Sequence, residues 1–217
     1  MPARLSLAFL LAGLILSATA CAGGSTSSQP AGSTPAPTPV PATTLAYTDP
    51  SGAGWRLLKD PSSTTTRVVL NLVGPAGQMT RGVGFNLKAP PGVKFDVFDG
   101  GLPVHDTGVY QLLSAVGDVN EPVALVAGVK PGNLLSVGIY QKDRTHAAKD
   151  SGTTLCQIAL LLDPAAPASK GTTLSLSVPK AKVIPEDIGA TTDETWILDR
   201  KMQMAGVTVA VGTLTAN

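Results

Sequence analysis

Between residues 54 and 211 the chain is built of short apolar runs, many alternating with polar residues, set apart by clusters of Gly, Pro, Asp and Ser. Hardly any stretch has helical period, so the pattern predicts strands and turns. The clearest runs are Arg67 to Val73 (RVVLNLV), Gly82 to Lys88 (GVGFNLK), Asn133 to Gln141 (NLLSVGIYQ), Thr154 to Leu162, Thr172 to Val178 (TTLSLSV) and Ala205 to Val211 (AGVTVAV). Weaker ones are Gly54 to Leu58, Val93 to Phe98, Val109 to Leu113, Val123 to Ala127 and Ala181 to Ile184. Turn signals at Pro75-Ala76-Gly77, Pro90-Pro91-Gly92 and Pro131-Gly132 lie between them. Many strands at this spacing predict an all-β fold, an antiparallel β-sandwich.

Side chains alternate across a strand, so parity assigns the faces. Val83, Phe85 and Leu87 share a side, as do Leu135, Val137 and Ile139, and Leu174, Leu176 and Val178. These positions predict the core. Opposite them fall Gly82, Gly84 and Asn86, then Ser136, Gly138 and Tyr140, then Thr173, Ser175 and Ser177. From Leu155 to Leu162 both parities are apolar except at Gln157, the mark of a central strand covered on both sides.

The pattern changes abruptly upstream. Met1 to Ala20 has one positive charge at Arg4, an apolar run LAFLLAGLIL and small residues SATA before Cys21, the order of a secretory signal. The run falls short of the roughly 20 residues a spanning helix needs. Ala18-Thr19-Ala20-Cys21 resembles the bacterial lipobox, with Ala18 where leucine is commonest. The expectation is therefore a signal peptide over 1–20 and a diacylglyceryl-modified Cys21, anchored in a membrane of the cell envelope, the outer one in a Gram-negative cell. Two or three acyl chains suffice for stable anchorage. Residues 22–46 (AGGSTSSQPAGSTPAPTPVPATTLA) carry no charge and five prolines, and predict a tether with a reach of roughly 25 to 75 Å. The sandwich is then expected over 47–217.

Composition narrows the function. Sixteen Lys and Arg face fifteen Asp and Glu, and removal of Arg4 with the signal leaves the two equal. There is no electrostatic case for nucleic acid or for an anionic membrane surface. Beyond Cys21 the only cysteine is Cys156, so an intramolecular disulfide would need both, and Cys156 in LCQIALLL reads as a buried, inert thiol.

The order of motifs resembles the cohesin family, nine-stranded jelly-roll sandwiches related to some carbohydrate-binding modules. The residues that carry the resemblance are GVGFNLKAPPGVKF, LLSVGIYQKD followed by KDSGTTLCQIALLLD, KGTTLSLSV and the closing AGVTVAVG, spanning Thr65 to Gly212. Pro185 to Gln203, with Trp196, departs from the family as an overlong final connection. The resemblance implies a jelly-roll sandwich that binds a protein through one sheet face, with no contact residue carried over.

Familiar catalytic spacings are missing: there is no Gly-x-Ser-x-Gly, His-Glu-x-x-His, phosphate loop or Cys-x-x-Cys. His105-Asp106 and His146 read as surface residues, since neighbours on a strand point apart. Asp96, Asp99, Glu186 and Asp187 offer oxygen ligands for calcium but in no dedicated loop spacing. No cofactor, metal or catalytic residue is expected. Trp55, Tyr110, Tyr140 and Trp196 would form a platform for sugar rings if coplanar on an exposed face. The leading expectation is a non-catalytic, lipid-tethered module recognising a protein. A carbohydrate-binding module and an enzyme of unfamiliar type are the alternatives. The partner site is expected where small residues let another backbone approach, at Gly84, Gly138, Asn86, Tyr140 and Gln157, with Tyr140 as anchor.

Overall fold

The computed structural model describes residues 38–110, 123–141, 147–186 and 204–217. The signal segment, Cys21, His146, Asp187 and Trp196 lie outside them, as does the tether up to residue 37.

The described chain is antiparallel β throughout its named strands, without a helix. The strands are β1 Leu45–Thr48, β2 Arg56–Lys59, β3 Arg67–Val73, β4 Met79–Lys88, β5 Val93–Phe95, β6 Val104–Asp106, β7 Val123–Lys130 and β8 Leu134–Gln141. They continue with β9 Lys149–Asp150, β10 Cys156–Leu162, β11 Thr172–Leu174, β12 Ser177–Pro185, β13 Ala205–Gly206 and β14 Thr213–Ala216. One sheet runs β13-β12-β4-β8-β7, with β9 beside the start of β4. The other runs β2-β3-β10-β5, with β6 also on β10, and a small sheet β1-β14-β11 gathers both ends of the domain.

The expected inward set is the core. Val83, Phe85, Leu87, Leu135, Val137 and Ile139 of one sheet meet Leu57, Val68, Leu70, Leu72, Ile158 and Leu160 of the other, all buried. Each such side chain contributes about 1.5–3 kcal/mol by leaving water. Strand β10 is central as its two-sided apolar pattern requires, flanked by β3 and by β5 and β6. Its outward Ala159 is fully buried too.

Four boundaries differ from expectation. The compact unit begins at Thr38, inside the stretch expected as tether up to 46. Ala42 and Leu45 are core residues, and β1 pairs with β14, Leu45 opposite Ala216. The sparse apolar residues of this stretch become a strand because a partner edge awaits them. Next, TTLSLSV is not one strand. β11 belongs to the small sheet and β12 to the β4 sheet, so the chain turns a sandwich corner at Ser175-Leu176. The register then slips between Ser177 and Lys180, where Pro179 has no N–H for the ladder. At the other end only Ala205–Gly206 of AGVTVAV is strand, and the last strand is Thr213–Ala216. Finally, short pieces such as β6 and β9 exist by virtue of their neighbours, with no period of their own.

Tyr47 ties the domain's ends together. Its hydroxyl donates to Leu57 O at 3.0 Å and accepts from Gly212 N at 2.6 Å. Burial pushes its phenol up to about 12, the Gly212 N–H works against that rise, and the Asp49 carboxylate adds to it.

Candidate docking face

The outward side of the β4–β8 pair is where the expected partner residues meet. Register sets Asn86 opposite Ser136, Gly84 opposite Gly138 and Gly82 opposite Tyr140. On the flanks, Lys180 stands opposite Asn86 and Lys182 opposite Gly84, while Gly128 of β7 stands opposite Ser136. Gly84, Asn86, Gly138 and Tyr140 are half-buried, while Ile184, set opposite Gly82 on the same face, is buried.

The glycines are not equivalent. A Cβ on Gly138 or Gly128 would meet nothing within 4 Å. One on Gly84 would make ordinary contacts, 3.5 Å to Val137 O and 3.9 Å to Met204 Cε. One on Gly82 would sit 2.5 Å from Tyr140 Cβ and 2.7 Å from Ile139 O. Gly82 is thus required by the close approach of β8, whereas Gly128 and Gly138 keep the floor low without a packing need. Ser136 Oγ, shielded from water, has no hydrogen-bond partner among the described residues.

Gln157 does not belong to this face. Its strand lies in the opposite sheet, so the grouping of Gln157 with Gly84, Gly138, Asn86 and Tyr140 is corrected. Parity placed Gln157 outward correctly but could not say on which sheet. There, Gln157 Nε2 donates to Asp60 Oδ2 (2.9 Å) and to Asn71 Oδ1 (3.1 Å), and Asn71 Nδ2 donates to the same carboxylate at 2.7 Å. Desolvation pushes the Asp60 carboxyl up, yet the hydrogen bonds from Ser62, Asn71 and Gln157 outweigh it and leave it below its usual value. This second face also carries Arg67, which is bonded to Asp96 (2.6 Å) and lies 4.7 Å over the Phe98 ring, with His105 stacked on Phe98. Arg67 and Asp60 are thus satisfied within the chain, while Lys94, outward on β5, is exposed.

The other candidates disperse. Trp55 and Tyr110 are buried, so the alternative of an aromatic platform with Tyr140 does not form among the described residues. His105 pairs with Gln157 across the strands while Asp106, next along β6, pairs with Cys156, and Asp106 Oδ1 accepts from Gly108 N. Among the described residues no three His, Cys, Asp or Glu side chains converge as metal ligands. Cys156 is fully buried, and burial pushes its thiol well above the ordinary range.

The lysines of the first face were not singled out from sequence. Lys180 and Lys182 could have been found, because the alternation Lys-Ala-Lys beside the buried Ala181 and Val183 sends both outward. Lys88 and Lys130 could not, since only the register brings both beside Leu134.

No family model matches the chain, and no curated protein is significantly similar to it. Among solved structures it is similar to a type II cohesin domain from the cellulosome of Acetivibrio cellulolyticus, at 14% identity over 75% of this chain and 94% of that one, with a TM-score of 0.49. It is similar also to a non-cellulosomal cohesin from the hyperthermophilic archaeon Archaeoglobus fulgidus, at 10% identity, 79% and 88% coverage and a TM-score of 0.40. A type III cohesin module from the cell-surface anchoring scaffoldin ScaE of Ruminococcus flavefaciens matches at 14% identity, 76% and 73% coverage and a TM-score of 0.40.

Proposed function

We propose that the protein is a non-catalytic recognition module, held on the cell envelope by lipid on Cys21, which binds another protein through the outer face of the β12-β4-β8-β7 sheet. The observation that carries this reading is the unfilled floor at Gly128 and Gly138, where side chains could stand without clash and none does. Glycine inside a strand costs entropy and packing, and close approach of a second backbone is one of its uses. Tyr140 and Asn86 supply the polar and aromatic grip at the floor's edge, and Tyr is favoured at interface hot spots.

The test uses the full chain as bait in the producing cell's envelope. Gly138→Arg projects into open space, so the variant should keep its cooperative unfolding and lose its partner. Retained capture by a folded Gly138→Arg protein would withdraw the docking face. In parallel, Cys21→Ala should move the protein from the membrane to the soluble fraction, and a mutant still bound after a salt wash would remove the lipid anchor from the reading.

A further inference from the structure

The two outer faces of the sandwich differ in charge more than the near-neutral composition suggests. On the second face Arg67 is matched by Asp96 and Asp60 sits among amides, which leaves Lys94 beside them as the exposed cation of β5. On the docking face, the described residues that register sets outward include four lysines, Lys88, Lys130, Lys180 and Lys182, and no carboxylate. All four are exposed, and none has a carboxylate partner among the described residues. Lys180 and Lys182 stand along β12 on one side of the glycine floor, while Lys88 and Lys130 close one end beside Leu134. From β12 across β4 and β8 to β7 is three strand spacings, about 14 Å. A helix with its side chains is roughly 10 Å across, and an extended segment is narrower. Like charges on neighbouring strands repel one another, most at low salt, and a bound anionic surface relieves that repulsion.

We infer that this face takes an acidic protein surface, an element with carboxylates along its flanks and small residues along its ridge, seated on the floor of Gly84, Gly138 and Gly128 beside the lysines. The inference rests on the docking reading above and adds the partner's chemistry to it. The ridge fits because the floor is backbone, and the flanks fit because the rim is cationic. A protein is favoured over an acidic polysaccharide because, among the described residues, no exposed aromatic pair faces this floor to stack a sugar ring: Trp55 and Tyr110 are core. Rim charges of this kind raise the rate of encounter and make binding sensitive to salt.

The experiment titrates a helical peptide of Ala and Glu, with its carboxylates on two flanks, into the isotopically labelled full chain in detergent micelles and follows the amide resonances. The same peptide with Lys for Glu, and a polygalacturonate, are the comparisons. Resonances of Gly84, Gly128 and Gly138 should shift with the acidic peptide alone, and the affinity should fall roughly tenfold between low and physiological salt. Lys180→Glu with Lys182→Glu should abolish the shifts, while Lys94→Glu on the opposite sheet should leave them. Equal response to the Lys peptide, unchanged binding by the double variant, no response at these glycines, or polygalacturonate taking the face where the acidic peptide does not, would each overturn the inference. Should it fall while Gly138→Arg still abolishes capture of the envelope partner, the docking reading stands and only the partner's charge is wrong.

Discussion

Gly82 and Gly138 lie on one sheet face, one row apart, and should respond oppositely to the same methyl group. In Gly82→Ala the new carbon would lie 2.5 Å from Tyr140 Cβ, 2.7 Å from Tyr140 Cα and 2.7 Å from Ile139 O. Directly opposed Cβ atoms in an antiparallel pair are ordinarily about 4.5–5.5 Å apart. Strand β8 would have to retreat, and Ile139, which is fully buried, would be drawn with it. Overpacking of this kind costs ~1–3 kcal/mol, and because the obstacle is backbone the upper half of that range applies. For a domain of this size that lowers Tm by roughly 4 to 12 °C. In Gly138→Ala the methyl meets nothing within 4 Å. It should stabilise by about 0.4–1 kcal/mol by removing freedom from the unfolded chain. Urea unfolding followed by far-ultraviolet circular dichroism reads both. A Gly82→Ala protein as stable as the parent would refute the close approach of β8. A Gly138→Ala protein destabilised by more than ~1 kcal/mol would show that the floor is packed against another part of the chain.

Tyr47→Phe removes the bridge between β2 and the chain before β14 and leaves Leu57 O and Gly212 N without it, which should cost ~1–2 kcal/mol in chemical unfolding. Since the folded phenol is raised to about 12 from 10.0, its contribution is complete below pH 10 and is lost as pH rises through 12, a slope that the Phe variant should not show. Cys156 should react with a bulky aromatic disulfide reagent only after denaturant is added, and stoichiometric labelling of the native chain within minutes would displace β10 from the core.

Much of the fold was legible from local sequence alone. RVVLNLV is β3 to the residue, and the inward parities of GVGFNLK and LLSVGIYQ are the core, because a period of two with one face apolar has one low-energy placement. The two-sided apolar run around Ile158 announced a central strand. What needed tertiary structure was everything that depends on a partner strand. Leu45–Thr48 and Thr213–Ala216 carry weak patterns and become strands by pairing with each other. Thr172 to Val178 alternates perfectly across a break, since Leu174 at the end of β11 and Leu176 in the corner before β12 are buried in one core. Parity sent Gln157 outward with Asn86 and Tyr140, but a sandwich has two outsides, and only hydrogen-bond pairing with Asn71 decided which. The same long-range pairing gathered Lys88, Lys130, Lys180 and Lys182, scattered over more than ninety positions of a near-neutral chain, around one glycine floor.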